Sequence, residues 1–507
     1  MNRTATDRYR GVMDRAAELA DLESAASLLG WDQETKMPSK GVGGRSNVFA
    51  TMAGVIHEKF TAPQLGEDLA ALVSDSDGLG EMEKAQVLEL NRLYDRAARV
   101  PGDLVRKVAE TQSKATAVWA EARSNNDFDS FAPLLEEMYN LKRQVADAIG
   151  YESDPYDALL EDYEPGARIE DVAATLNEIR DFLVPLVSAI KEAGPPPNTE
   201  LTAGPFDEAT QDKLGRELVL AMGFDMNAGR IDVSNHPFTS GIHDGDTRLT
   251  TRYKENLTVG LFGTLHEAGH GLYEQNLTPG LRRTPLGPAT SLGVHESQSR
   301  LWENLVGRGR SFWMHFFPRL QELFPQHVGS ASLDDFYRAI NTVRPSFIRI
   351  EADEVTYNLH IILRVELERE LISGRLDVKD VPEAWNTKVQ EYLGITPPSP
   401  DVGVLQDIHW AAGHIGYFAT YSLGNLYASQ FYEAAQRDIP DLETRIEQGD
   451  LLVLRDWLVE NIHRWGRQYS AEELVKRATG EPLSAAAFKR YLSDKFGNLY
   501  GLSSNPA

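Results

Sequence analysis

Leu257–Gln275 reads LTVGLFGTLHEAGHGLYEQ. It has the length and apolar content of a largely buried helix. Positions i and i+4 of a helix differ by about 40° in azimuth, so His266 and His270 project from one face and can share a cation. Glu267 falls at the edge of that face, where it can hold a water on the cation without being forced into ligation. Zinc hydrolysis needs this arrangement: the ion lowers the pKa of a bound water, the glutamate takes the proton, and the hydroxide attacks a carbonyl. Two ordinary core histidines are the plain alternative. The mid-helix position, the apolar flanks and a downstream acid favour the metal.

A third ligand follows by elimination. The extended form of the motif would place a histidine at position 276, where Asn276 stands. The other common solution is a glutamate from a later helix, and His295-Glu296-Ser297-Gln298 leading on to Glu303 supplies two. Glu296 is the first choice. Glu303, about two turns further along, suits a surface or supporting acid, and His295 points about 100° away from Glu296. Three protein ligands leave a position open for water or substrate. The ligating imidazoles should donate their other N–H groups to carboxylates or carbonyls, for which Asp353 or Glu351 are candidates.

Outward from the motif the pattern stays mostly helical. Val12, Met13, Ala16, Leu19, Leu22, Ala26 and Leu29 make an apolar stripe that should end at Gly30, ahead of a turn at Met37-Pro38. Similar spacing recurs in Phe131–Ile149 and Val172–Ile190, and Ser470 with Glu473 forms a capping-box signature. Ala193–Asn198 and Thr396–Asp401 are proline-rich breaks, read as loops within one architecture. Arg230–Val233 and Thr247–Tyr253, with His243-Asp-Gly-Asp246 between them, predict a small β-hairpin just before the motif helix. The fold class is mainly α with a minor β element.

Composition limits the partners. The 507 residues carry a net charge of −25, which disfavours nucleic acid or an anionic membrane as the main partner. There is no cysteine, so disulfides and thiolate metal sites are excluded and a metal must be held by His, Asp or Glu. The amino-terminal stretch is charged and lacks an apolar signal core, and no run of about 18 apolar residues predicts a membrane span. The cytoplasm is the simplest location.

Several segments together resemble the carboxypeptidase Taq family of metallocarboxypeptidases. They are Trp31–Pro38 (WDQETKMP), Asp246–Thr250 (DTRLT), HEAGH with His295–Gln298, Ile348–Asp353 (IRIEAD), Gly403–Trp410 (GVLQDIHW) and Gly413–Tyr421. The resemblance implies a large helical, saddle-like fold with a deep central groove. On that reading residues 1–507 are a single domain, with 1–195 forming one side of the groove and 196–507 carrying the metal site. It also implies release of single residues from peptide carboxyl termini with broad specificity, dependence on zinc (or cobalt), and a homodimer. His266, His270 and Glu296 would then ligate the metal, with Glu267 as base.

An exopeptidase of this kind must recognise a free carboxylate, which a planar arginine does with two parallel hydrogen bonds. Arg349 is the leading candidate and Arg248 the second. A tetrahedral intermediate needs a side-chain donor besides the metal, for which His409 and Tyr417 are candidates, with Tyr421 a weaker third. Trp31 and Asp32 more readily shape the amino-terminal helices than touch substrate, and His236 has no assigned role. Two rival readings remain open: an oligopeptidase or dipeptidase using the same metal site, and a peptide-binding protein with a structural metal. An intact Glu267 speaks against the second.

Overall fold

A computed structural model describes residues 4–194 and 196–502; Pro195, within the first proline-rich break, lies outside them. The fold is mainly α. Among the described residues the only sheet has three strands.

The first helix runs from Ala5 to Thr35 and is capped by the Thr4 side chain. It passes through Gly30, contrary to the expectation that it stops there. A mid-helix glycine costs about 1 kcal/mol relative to alanine, and the turn beyond it is held by burial of Trp31, whose ring is 5% exposed. The guanidinium carbons of Arg248 and Arg230 lie 4.3 and 5.0 Å from the centre of that ring. The helix ends where the Lys36 and Met37 N–H groups both donate to the Asp32 carbonyl, ahead of Pro38.

Val12, Leu65, Leu69, Leu72, Val87 and Leu90 build a small apolar cluster joining this helix to Pro63–Ser74 and Glu81–Arg99. The main core is separate and extends from Ala115 to Phe496. Its amino-terminal part is a helical hairpin, Gly102–Asn125 and Phe128–Ile149. Asn126 makes the turn in the left-handed region (φ 56°), and Asp127 caps the second helix. Ser470 and Glu473 form the expected capping box.

The β element corrects the predicted hairpin: the two predicted strands pair in parallel, and an unpredicted strand makes the antiparallel partner. Strands β1 (Gly229–Val233), β2 (Thr239–His243) and β3 (Asp246–Thr251) are ordered β1-β3-β2, with β1 parallel and β2 antiparallel to β3. The β2–β3 turn falls at Asp244-Gly245, within the anticipated turn sequence. Sequence periodicity misses β2 because its two faces are both only partly covered, so TSGIH carries no apolar alternation. The sheet packs against the motif helix, Leu257–Gln275, and β2 delivers Thr239 to it. No helix among the described residues is long and apolar enough to cross a membrane.

Candidate active site

The motif helix begins at Asn256, whose side chain accepts from the Thr258 N–H. The helix bearing Glu296, Leu292–Arg300, crosses it at close range. A Cβ on Gly269 would lie 2.4 Å from the Gln298 carbonyl oxygen, so glycine inside HEAGH is what permits the crossing. That approach brings Glu296 Oε2 to 3.8 Å from His266 Nε2 and 3.4 Å from His270 Nε2. Ligand atoms from all three residues lie within 4.8 Å of one another. Two ligands each about 2.1 Å from a tetrahedral ion are about 3.4 Å apart, so the donor set fits a single cation.

The far side of each imidazole is occupied. His266 Nδ1–H donates to Glu303 Oε2 at 2.9 Å. The two Nδ1 atoms of His270 and His295 are 2.5 Å apart, and His295 Nε2 is 2.8 Å from Glu274 Oε1, which leads to Arg282 at 2.6 Å. Only one proton arrangement satisfies this chain with His270 Nε2 left as a lone pair. His270 Nδ1–H donates to His295 Nδ1, and His295 Nε2–H donates to Glu274. The Nε2 atoms of both motif histidines therefore face Glu296 as potential ligands.

The electrostatics separate the two histidines. Burial holds His270 down at about 4, so it is neutral near pH 7. Burial also pulls His266 down, but the carboxylates of Glu296 and Glu303 outweigh it and hold its pKa above the usual value. Glu296 is well below the usual carboxylate range despite burial, because Arg300, His266 and His270 surround it. Arg300 Nε donates to Glu296 at 2.7 Å, Nη1 donates to Glu303 at 3.2 Å, and the guanidinium stacks 4.1 Å over the Tyr357 ring. One arginine thus bridges both acids.

Burial raises the Glu267 carboxyl. The Thr239 hydroxyl lies 2.7 Å from its Oε2. Glu267 opens onto a cleft of about 370 Å³ walled by the motif histidines, Glu296, Pro237–Thr239, Leu292, Tyr417, Thr420 and Tyr421.

The remaining anticipated residues are placed unequally. Tyr417 and Tyr421 line the cleft; His409 stands behind Tyr421, its Nε2 3.3 Å from the phenolic oxygen. Arg349 is buried and donates to Asp407 through Nε (3.1 Å) and Nη2 (2.9 Å), and to the Tyr357 hydroxyl through Nη1 (3.2 Å). Its guanidinium carbon lies 4.9 Å from the centre of the Tyr421 ring. Arg248 makes a two-point pair with Asp246 at 2.8 and 2.9 Å and stacks on Trp31, away from the cleft walls. His236 is exposed.

Of the anticipated supporting acids Glu303 takes that place, and Asp353 and Glu351 do not. Asp353 accepts from the Arg344, Val355 and Thr356 N–H groups, and Glu351 is exposed. Glu303 and the His295–Glu274 pair do that work. The signal for them was the 100° offset of His295 from Glu296, which is what a residue behind a ligand needs. Thr239 carried no sequence signal, because its partner Glu267 lies 28 residues on.

Over residues 11–496 the chain matches the Carboxypeptidase Taq (M32) metallopeptidase family. It belongs to that family. It is 42% identical to thermostable carboxypeptidase 1 of Thermus thermophilus, across 97% of this chain and 99% of that protein. It is 37% identical to carboxypeptidase 1 of Bacillus subtilis, across 96% and 97%. The crystal structure of the M32 carboxypeptidase of Deinococcus radiodurans superposes with a TM-score of 0.95 at 40% identity, across 98% of this chain and all of that one. The chain is thus a metallocarboxypeptidase, and membership of this family implies a metal. The mainly α fold is the fold of its relatives.

Proposed function

We propose that this protein is a zinc-dependent carboxypeptidase that releases single carboxyl-terminal residues from peptides with broad specificity. The observation that carries the reading is the convergence of His266 Nε2, His270 Nε2 and Glu296 Oε2, with Glu267 beside them on the same cleft wall. Two imidazoles and one carboxylate suit zinc and also accept cobalt. When bound, the ion would polarise the scissile carbonyl and make a water acidic enough to be deprotonated at neutral pH.

The chain's own residues supply the rest. Glu267 takes the proton from the attacking water and passes it to the leaving amine; its burial favours both exchanges, because a raised carboxyl pKa narrows the gap to neutral pH. Tyr417 presents a phenolic O–H from the wall of the cleft to the developing oxyanion. His409 orients Tyr421, and through it that same wall. Arg349 anchors the terminal carboxylate, with Arg248 as the second candidate. Arg349 keeps Asp407 as its counter-ion while Nη1, now shared with the Tyr357 hydroxyl, turns to the substrate. Leu292 and the two tyrosines offer apolar surface in the cleft, which favours broad acceptance of terminal side chains.

We infer that the chain acts as one unit on peptides, as a homodimer in the cytoplasm. The family resemblance supports the homodimer.

The test pairs one peptide with a free carboxyl terminus and the same peptide amidated, alongside metal analysis. The free peptide should lose residues one at a time, and the amide should react at least about 100-fold more slowly because it offers the arginine no negative charge. Zinc should be present at about one ion per chain. Equal rates on the two peptides would remove the carboxylate anchor and favour an oligopeptidase.

A further inference from the structure

Two carboxylates away from the cleft are almost wholly buried, Glu164 at 1% and Glu368 at 0% exposure. Each accepts three hydrogen bonds, which is what a buried carboxylate requires. Their neighbours differ in one respect that bears on the metal site.

Glu164 lies between the helices Pro155–Leu160 and Ile169–Glu192. Its Oε1 accepts from the Ser291 hydroxyl and the Tyr427 hydroxyl, both at 2.9 Å, and its Oε2 accepts from the Gly293 N–H at 3.0 Å. The adjacent Tyr163 carbonyl accepts from the Leu292 N–H at 2.9 Å. Ser291 is the N-cap of the helix that carries Glu296. A segment more than 120 residues earlier therefore takes up two backbone N–H groups in the first turn of that helix, and a negative group there is favoured by the helix dipole.

Tyr427 links the same carboxylate to a second element, the helix Ala419–Asp438. Gly424, about one turn before Tyr427, is the surface on which the Glu296 side chain lies: a Cβ there would be 2.5 Å from Glu296 Cγ. Glu164 thus binds both the start of the helix bearing Glu296 and the helix against which Glu296 packs. Glu368 accepts no hydrogen bond from either helix. It accepts from the Tyr156 hydroxyl at 2.7 Å, the Trp410 indole N–H at 2.9 Å and the Gly416 N–H at 3.1 Å.

We propose that Glu164 is a positioning residue for the metal site, holding the helix Leu292–Arg300 at the height that brings the Glu296 carboxylate to His266 and His270. The inference rests on the reading of those three residues as the metal ligands. A hydrogen-bonding clamp on a ligand-bearing element acts like a partner of the ligand itself, whose loss costs about 10- to 100-fold in metal affinity.

The experiment measures zinc affinity of the full chain by competition with a chelator, together with thermal unfolding of the metal-free protein. Glu164→Gln keeps the shape but removes the charge and one of the two acceptor oxygens, and should weaken zinc binding by about tenfold or more. Tyr427→Phe, a milder change that keeps the ring in its socket, should weaken it by about threefold. Glu368→Gln is the matched control: it should lower the metal-free unfolding temperature while zinc affinity stays within about twofold of wild type. Wild-type zinc affinity in Glu164→Gln, or a loss no greater than in Glu368→Gln, would overturn the proposal whatever happens to thermal stability. His266→Ala separates the premise from the inference. Undiminished zinc binding in that variant removes the ligand assignment itself, whereas its loss beside an unaffected Glu164→Gln overturns the role of Glu164 alone.

Discussion

The hydroxyl of Thr239, on a short strand, lies 2.7 Å from Oε2 of Glu267 and 3.0 Å from the Glu267 carbonyl oxygen. The proposed base is therefore held from the sheet side, while the proposed metal ligands are held from the helix side. Thr239→Val removes the donor with little change of shape. Burial then acts on Glu267 with less opposition, so its pKa rises further. The acidic limb of kcat/KM against pH should move to higher pH, and kcat near neutrality should fall about tenfold. Thr239→Ser should restore both. A limb that stays in place would remove Thr239 from the machinery.

Glu267→Gln should retain zinc and lose turnover by about 10²- to 10⁴-fold. The amide still accepts from Thr239 but has no basic oxygen for a proton. Metal analysis with single-turnover kinetics checks this, and wild-type kcat in a zinc-loaded variant would reassign the base.

The two histidine supports should behave alike although they differ in chemistry. Glu303→Ala frees His266 Nδ1, and His295→Ala frees His270 Nδ1. Each should weaken zinc binding by about 10- to 100-fold, read by chelator competition. Glu351→Ala should leave it unchanged, since Glu351 is exposed. An effect confined to Glu351 would restore the original expectation.

Stability should depend on pH through the buried carboxyls. Burial raises both Glu164 and Glu368 from the ordinary 4.5 to about 7. The folded chain then binds their protons more tightly than the unfolded chain does. That stabilisation is fully present below 4.5 and is lost as pH rises through about 7, worth up to about 3 kcal/mol for each group. Glu303 and Glu274, held at about 2 by Arg300 and His266 and by His295 and Arg282 against burial, have the opposite sign. Their contribution is present above 4.5 and fades as pH falls toward 2. Denaturant unfolding of the metal-free protein should show the stability difference between wild type and Glu368→Gln moving in favour of the variant as pH rises from 4.5 through about 7. Parallel curves for wild type and variant would mean that Glu368 does not titrate in this range.

Helical periodicity and the i, i+4 spacing of His266 and His270 are local, so the mainly α fold and the paired imidazoles could be read from one stretch of chain. The continuation past Gly30 could not, because Trp31 is fixed by Arg230 and Arg248 from the sheet. Spacing also left two glutamates, Glu296 and Glu303. The crossing of two helices at Gly269 brings the first to the Nε2 side of the histidines and the second to the Nδ1 side of His266.

Arg349 shows the same division. Sequence chemistry marks it as a carboxylate binder, and it binds one, but that carboxylate is Asp407, 58 residues later in the chain. What the sequence by itself determined is which groups carry charge, lone pairs and protons, and which face of a helix they share. Only the tertiary structure decided which of them meet. Contacts such as Glu164 with Gly293, 129 residues apart, follow from packing around the common core and leave no periodic trace in the chain.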